Sequence, residues 1–213
     1  FSFYDQVLDT VALLGAVPDR YRPSGETVDL DTYFAMARGA QTDELDVQAM
    51  EMTKWFDTNY HYIVPELDPN QSFELAWEKP VDEYEEAEEL GIETRPVLLG
   101  PVSFLQLSKT TAEGASTLDL LDDLLEPYGE LLAKLEEAGA DAVQIEEPCL
   151  VTDQTADQQA AYETAYEALD SAIDDLSITL TTYFGELREN LDLAFDLPVD
   201  GVHLDLCRGD ELD

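Results

Sequence analysis

Apolar residues recur along the chain with two alternating periods. From Phe3 to Leu14 they fall at Phe3, Val7, Val11 and Leu14, a helical spacing that Gly15 closes. The same reasoning predicts helices over Leu30 to Arg38 with Gly39 as the stop, Val81 to Leu90 with Gly91, and Leu118 to Ala138 with Gly139. In the last of these, Leu121, Leu124, Leu125, Tyr128, Leu131, Leu132 and Leu135 form the core-facing stripe. Two more helices are predicted over Asp157 to Ile173 and Glu186 to Phe195. Between them lie short β-rich runs: Tyr60 to Glu66, Pro96 to Pro101, Ala142 to Glu147, Ile178 to Tyr183, and Gly201 to Cys207. Tyr21 to Gly25 reads as a loop, and the acidic stretch Ala40 to Val47 as a surface excursion.

Short strands alternating with helices are the pattern of repeated βα units around a parallel sheet. Hydrophobic alternation in the last two runs is partial: Leu180 stands between Thr179 and Thr181, and His203 and Asp205 alternate with Val202, Leu204 and Leu206. A polar inward-facing set suits a barrel better than an open sheet buried on both faces. The prediction is therefore an α/β fold of the (βα)8 TIM-barrel type, as one domain over residues 1–213. It is incomplete, with about five to six strands where closure takes eight. Strands are missing at both ends, and the opening Phe1-Ser2-Phe3-Tyr4 reads as a strand end in a fragment. A doubly wound open sheet is the alternative, but it lacks its Gly-rich phosphate loop.

Charge narrows the partners. Ten Lys and Arg against 49 Asp and Glu give a net charge of −39. Such a field repels a phosphate backbone and an anionic membrane surface, so neither nucleic acid nor membrane is an expected partner. Disorder is disfavoured because the acids interleave with periodic apolar residues. A nucleic-acid mimic stands as an alternative, and adaptation to salt is the preferred account. At molar salt the screening length falls to about 3 Å, so self-repulsion is relieved and the melting temperature is expected to rise with salt. Two cysteines, Cys149 and Cys207, make no disulfide framework and suggest a reducing, cytoplasmic setting.

Several strand ends carry polar groups beside Pro or Gly: Pro65-Glu66, Glu146-Glu147-Pro148, Tyr183-Phe184-Gly185 and Cys207-Arg208-Gly209. Carboxylates at two such ends could serve as acid and base, which makes a strand-end carboxylate hydrolase the alternative function. A non-catalytic acidic binding module is a third reading. His203 and Cys207, about 13 Å apart on a strand, cannot share a metal. Cys149 reads as a small buried residue. The stretch Glu51 to Tyr62 stands out, because it sets Lys54, one of only four Lys, among Trp55, Phe56, Asn59, Tyr60, His61 and Tyr62. In so acidic a chain an ammonium there is a candidate anion clamp, or else a surface residue paired to a carboxylate.

Met52-Thr53-Lys54-Trp55-Phe56-Asp57-Thr58-Asn59-Tyr60-His61-Tyr62-Ile63-Val64-Pro65-Glu66 resembles the amino-terminal half of cobalamin-independent methionine synthase. So do Tyr33 to Gly39, Pro96 to Phe104 and Gln144 to Pro148, and the resemblance runs over nearly the whole chain. It implies a parent enzyme that moves a methyl group from 5-methyltetrahydrofolate, carrying a polyglutamate tail, to homocysteine. It also implies two facing barrels, with zinc in the carboxyl-terminal catalytic domain binding the homocysteine sulfur. By the same resemblance Lys54 holds the polyglutamate tail and Asn59 faces the interdomain cleft. No catalytic residue and no metal ligand is expected in this chain. The zinc domain has no counterpart here, so the chain alone is expected to be inactive.

Overall fold

The computed structural model describes residues 6–21, 28–43 and 45–209. The chain opens with α1 (Gln6–Leu13), a 3-10 turn at Asp19–Tyr21 and α2 (Leu30–Arg38). Asp29 caps α2 by accepting the Thr32 N–H, and Gly39 ends it with φ 73°. The predicted helix from Phe3 begins at Gln6 among the described residues. It is no surface helix, since Val7, Leu8, Val11, Ala12 and Leu13 are all buried. A helix buried on nearly every side has to be enclosed, and α1 packs against both β4 (His61–Ile63) and β6 (Val97–Leu99). Of the loop expected over Tyr21 to Gly25, Tyr21 belongs to the 3-10 turn and the rest lies outside the described residues.

The acidic excursion after Gly39 is a small hairpin, β1 (Ala40–Gln41) against β2 (Asp46–Val47). A second hairpin pairs β3 (Met52–Lys54) with β4, Lys54 opposite His61. β5 (Glu66–Leu67) runs parallel to β7 (Lys109–Thr110). The run predicted as one strand from Tyr60 to Glu66 is thus two short pieces, neither hydrogen-bonded into the main sheet. Pro65 separates them, since it has no N–H for a ladder.

The main sheet holds the other predicted strands. β6, β8 (Ala142–Glu146), β9 (Ser177–Thr181) and β10 (Gly201–His203) lie side by side, all parallel, in chain order and without reversal. That order disfavours the doubly wound alternative, whose strand order reverses at a switch point. The sheet has four strands among the described residues, and no closed barrel is seen in them. The strand predicted to reach Cys207 stops at His203, because the Asp205 carboxylate accepts the N–H groups of Cys207 and Arg208 and folds the chain into a turn.

Helices connect the strands: α3 (Lys79–Glu89) leads to β6, α4 (Pro101–Leu107) and α5 (Leu121–Glu137) to β8, α6 (Ala156–Ser171) to β9, and α7 (Leu191–Asp196) to β10. α5 packs against α3, α4 and α6. Its stripe is buried as predicted, save for half-buried Leu125. α6 starts on a capping box between Thr155 and Gln158.

Alternation along β8 and β9 separates two faces. Val143, Ile145, Ile178 and Leu180 are buried in the core with the helix leucines, each contributing about 1.5–3 kcal/mol. Gln144, Glu146, Thr179 and Thr181 share the other face in register, with His203 beyond Thr181. The polar inward set read from the sequence is therefore a real surface, and α1 meets it through Gln6.

Candidate functional site

The carboxyl ends of β8, β9 and β10 gather the polar groups. Glu146 is the last residue of β8 and is 5% exposed. Its Oε2 accepts from Gln6 Nε2 at 2.7 Å and from the Tyr183 hydroxyl at 2.8 Å, and its Oε1 accepts from Gln144 Nε2 at 3.0 Å. All three partners are neutral donors, and no cation pairs with this buried carboxyl among the described residues. Burial and the neighbouring Glu146 push the Tyr183 hydroxyl far above its ordinary range. Close by, Gln6 Oε1, Thr181 Oγ1 and Trp55 Nε1 are buried without hydrogen-bond partners.

Glu147, one residue on, turns to the helix side. Its carboxyl is fully buried at the start of α4, where the Ser103 N–H donates to it at 2.7 Å and the Val102 N–H at 3.3 Å. Burial outweighs these bonds and raises the carboxyl to about 7. Gly100 makes the fit possible, because a Cβ there would overlap the Glu147 carboxyl group. Cys149 is buried beside it, and burial pushes its thiol up to about 12, as suits a packed residue rather than a nucleophile.

An aromatic cluster covers the end of β9. Trp55 is fully buried, its ring 5.5 Å from Tyr62 and 6.4 Å from Tyr183. Phe56 lies 6.3 Å from Phe184, which packs edge-on to Tyr183 at 4.9 Å. Phe56 and Phe184 both have positive φ, at 52° and 72°, conformations that cost a non-glycine residue about 1 kcal/mol or more. Phe184 is held by its N–H bond to Asp205 at 2.8 Å. Arg208 pairs with Asp57 and lies over the Phe184 ring, tying the hairpin turn to the end of β10.

Lys54 and Asn59 belong to that turn. Lys54 ends β3 and Asn59 comes two residues before its strand partner His61; both are exposed. The turn is closed by Trp55 N–H to Tyr60 O at 2.8 Å and by the Thr58 hydroxyl to Trp55 O at 2.6 Å. Since Trp55 is seated against Tyr183, the hairpin overlies the carboxyl end of the sheet. Among the described residues Lys79, Lys109 and Lys134 all stand in ion pairs, whereas Lys54 has none.

The hydrolase alternative finds no support in this geometry. Glu66 is engaged by Arg20 at 2.6 Å and Lys109 at 3.5 Å; burial raises its carboxyl, but these pairs outweigh burial and leave it below the ordinary value. Glu146 and Glu147 point to opposite faces and do not form a pair across one space. No group of three or more His, Cys, Asp or Glu able to hold a metal occurs among the described residues. No helix among them is long and apolar enough to cross a membrane. The sequence pointed to Glu146 only as a strand end; Gln6, Tyr183 and Thr181 were not singled out as its neighbours, since Gln6 and Glu146 are 140 positions apart. A cavity of about 260 Å³ lies between α1, α3 and β6, bordered by Gln6, Trp77, Lys79, Arg95 and Leu99, and adjoins the Glu146 cluster through Gln6.

Consecutively ordered parallel strands with a polar mouth define the class: an α/β protein with polar groups gathered at the carboxyl ends of the sheet. More particularly, the chain belongs to the family described as cobalamin-independent synthase, N-terminal domain, whose profile matches residues 1–212. It is 57% identical over 216 residues to the 5-methyltetrahydropteroyltriglutamate–homocysteine methyltransferase of Salinibacter ruber, covering 99% of this chain and 28% of that protein. Proteins of the same name from Parvibaculum lavamentivorans and Caulobacter vibrioides are 55% and 54% identical, over 98% and 100% of this chain and 27% and 30% of theirs. The chain thus spans under a third of the length of these curated relatives. In fold it is similar to the crystal structure of a putative vitamin-B12-independent methionine synthase from Listeria monocytogenes. That match has a TM-score of 0.52 at 16% identity, covering 65% of this chain and 47% of the other.

Proposed function

We propose that residues 1–213 are one amino-terminal domain, a partial (βα)8 barrel, of a cytoplasmic, salt-adapted methionine synthase. In this reading the domain helps to bind the polyglutamate tail of 5-methyltetrahydrofolate, and a carboxyl-terminal catalytic domain carrying zinc transfers the methyl group to homocysteine. The relatives' name supports the substrate class, since it specifies a triglutamate folate and homocysteine. On this proposal residues 1–213 by themselves do not catalyse methyl transfer and need the carboxyl-terminal domain for it.

The observation that carries the reading is the ammonium of Lys54 on the hairpin over the sheet's carboxyl end, which has no ion pair among the described residues. A protein of net charge −39 repels a polyanion at long range. A tail of several carboxylates therefore needs a cation not already neutralised, and Lys54 meets that need while Lys109 does not. Asn59 on the same turn offers an amide donor to the same tail.

The test is titration of the full-length enzyme with triglutamate and monoglutamate folate at one ionic strength. Exposed ion pairs contribute little, so Lys54→Ala is expected to weaken triglutamate binding by about three- to tenfold and to leave the monoglutamate unchanged. Equal losses for both ligands, or none, overturn the role of Lys54.

A further inference from the structure

The mouth contains a cluster that the tail-binding proposal does not use. Each carboxylate oxygen accepts about two hydrogen bonds. Glu146 Oε2 is filled by Gln6 and Tyr183, while Oε1 has only Gln144 and keeps one lone pair open. Two more acceptors flank it without partners. Gln6 Oε1 is on the amide whose nitrogen already donates to Glu146, and Thr181 Oγ1 is on the residue directly opposite Glu146 in the β8–β9 ladder. Both residues are 5% exposed.

The Gln6 amide is fixed in this sense. Turning it over would set its oxygen against the Glu146 carboxylate and lose the 2.7 Å bond. The cluster therefore presents one carboxylate and two neutral oxygens, with no cation from the described residues. Three open acceptors around one negative charge match the three N–H donors of a primary ammonium, or the oxygen shell of an alkali ion. Of the three residues, Gln6 also borders the cavity between α1, α3 and β6.

We propose that Glu146, Gln6 and Thr181 form a site for a compact monovalent cation of the ammonium type, either a free ion or the amino group of a small ligand. It is independent of Lys54 and of the tail-binding role, because it is selective for positive charge on the buried face of the same mouth.

The test is anomalous diffraction from crystals of the full-length enzyme in rubidium chloride, with choline chloride as the bulky control. An anomalous peak bounded by Glu146, Gln6 and Thr181 is expected. In Glu146→Gln, half-occupancy should take at least about tenfold more rubidium, as for loss of a charge-assisted contact. Thr181→Val keeps the side-chain shape, and there a weaker peak is expected even if the Glu146 variant does not fold. Displacement of rubidium by methylammonium identifies an amine-ligand site, and displacement only by potassium and ammonium a free-ion site. No peak at this position in the wild-type enzyme, or a peak unchanged in Thr181→Val, overturns the proposal and leaves ordinary water as what the open acceptors hold.

Discussion

Glu146 and Glu147 are chain neighbours with opposite environments. Glu146 faces the polar side of the sheet, where three neutral side chains donate to it. Glu147 faces the helix side and relies on two backbone N–H groups at the start of α4. Consecutive strand residues point to opposite faces, so one step along the backbone moves a carboxyl from a ligand-facing surface into the core. Side-chain donors can be exchanged for those of a ligand, whereas backbone donors belong to the fold. Glu146 is accordingly placed to bind and Glu147 to hold α4 on the sheet.

That contrast can be broken from the Glu147 side first. Gly100→Ala forces a methyl into the space of the Glu147 carboxyl at the N-cap of α4, and the expected loss is about 3 kcal/mol or more in denaturant unfolding. A loss under 1 kcal/mol, on the order of a surface change, would show that the carboxyl can move freely.

The next effect depends on pH. The Glu147 carboxyl is raised from 4.5 to about 7 in the folded chain. Below 4.5 it is protonated folded and unfolded alike. As pH rises towards 7 the unfolded chain releases the proton first, so stability falls, by about 3 kcal/mol in all, and then levels off. Glu147→Gln should remove that slope from the curve while keeping its shape at lower pH; an unchanged slope assigns the pH dependence to other groups.

Tyr183→Phe tests the other face. It removes one neutral donor from Glu146, and the expected cost is about 1–1.5 kcal/mol in denaturant unfolding. Smallest of all is Lys54→Ala, expected within about 0.5 kcal/mol in stability, since the side chain is exposed and has no ion pair among the described residues. Its signature is confined to the triglutamate titration, and a clear loss of stability would make Lys54 a structural residue.

Most of the sheet could be read along the chain because β8 and β9 are short apolar-rich runs between amphipathic helices, and Gly139 marks the end of α5 before β8. α2 ends where its pattern predicts, at Arg38 before Gly39. α4 was hidden because Pro101 reads as the end of a strand, yet a Pro at the first helical position begins a helix as readily. The β3–β4 hairpin was missed for a different reason: Met52, Thr53 and Lys54 are all exposed, so no apolar alternation marks the strand. The site was legible in part. Lys54, Asn59 and Glu146 stand in recognisable local patterns, but the meeting of Gln6, Glu146 and Tyr183 is made by tertiary packing, and no local period encodes it.

Phe56 and Phe184 each occupy a left-handed backbone region and lie against one another from separate loops. Neither conformation is favourable alone; the two rings support one another, and Phe184 is held as well by its N–H bond to Asp205. A ligand that displaces the hairpin would take the Phe56 ring from Phe184 and the Asp57 carboxylate from Arg208 at the same time. Two contacts, one apolar and one ionic, thus join the outer lip to the end of the sheet with no helix between them.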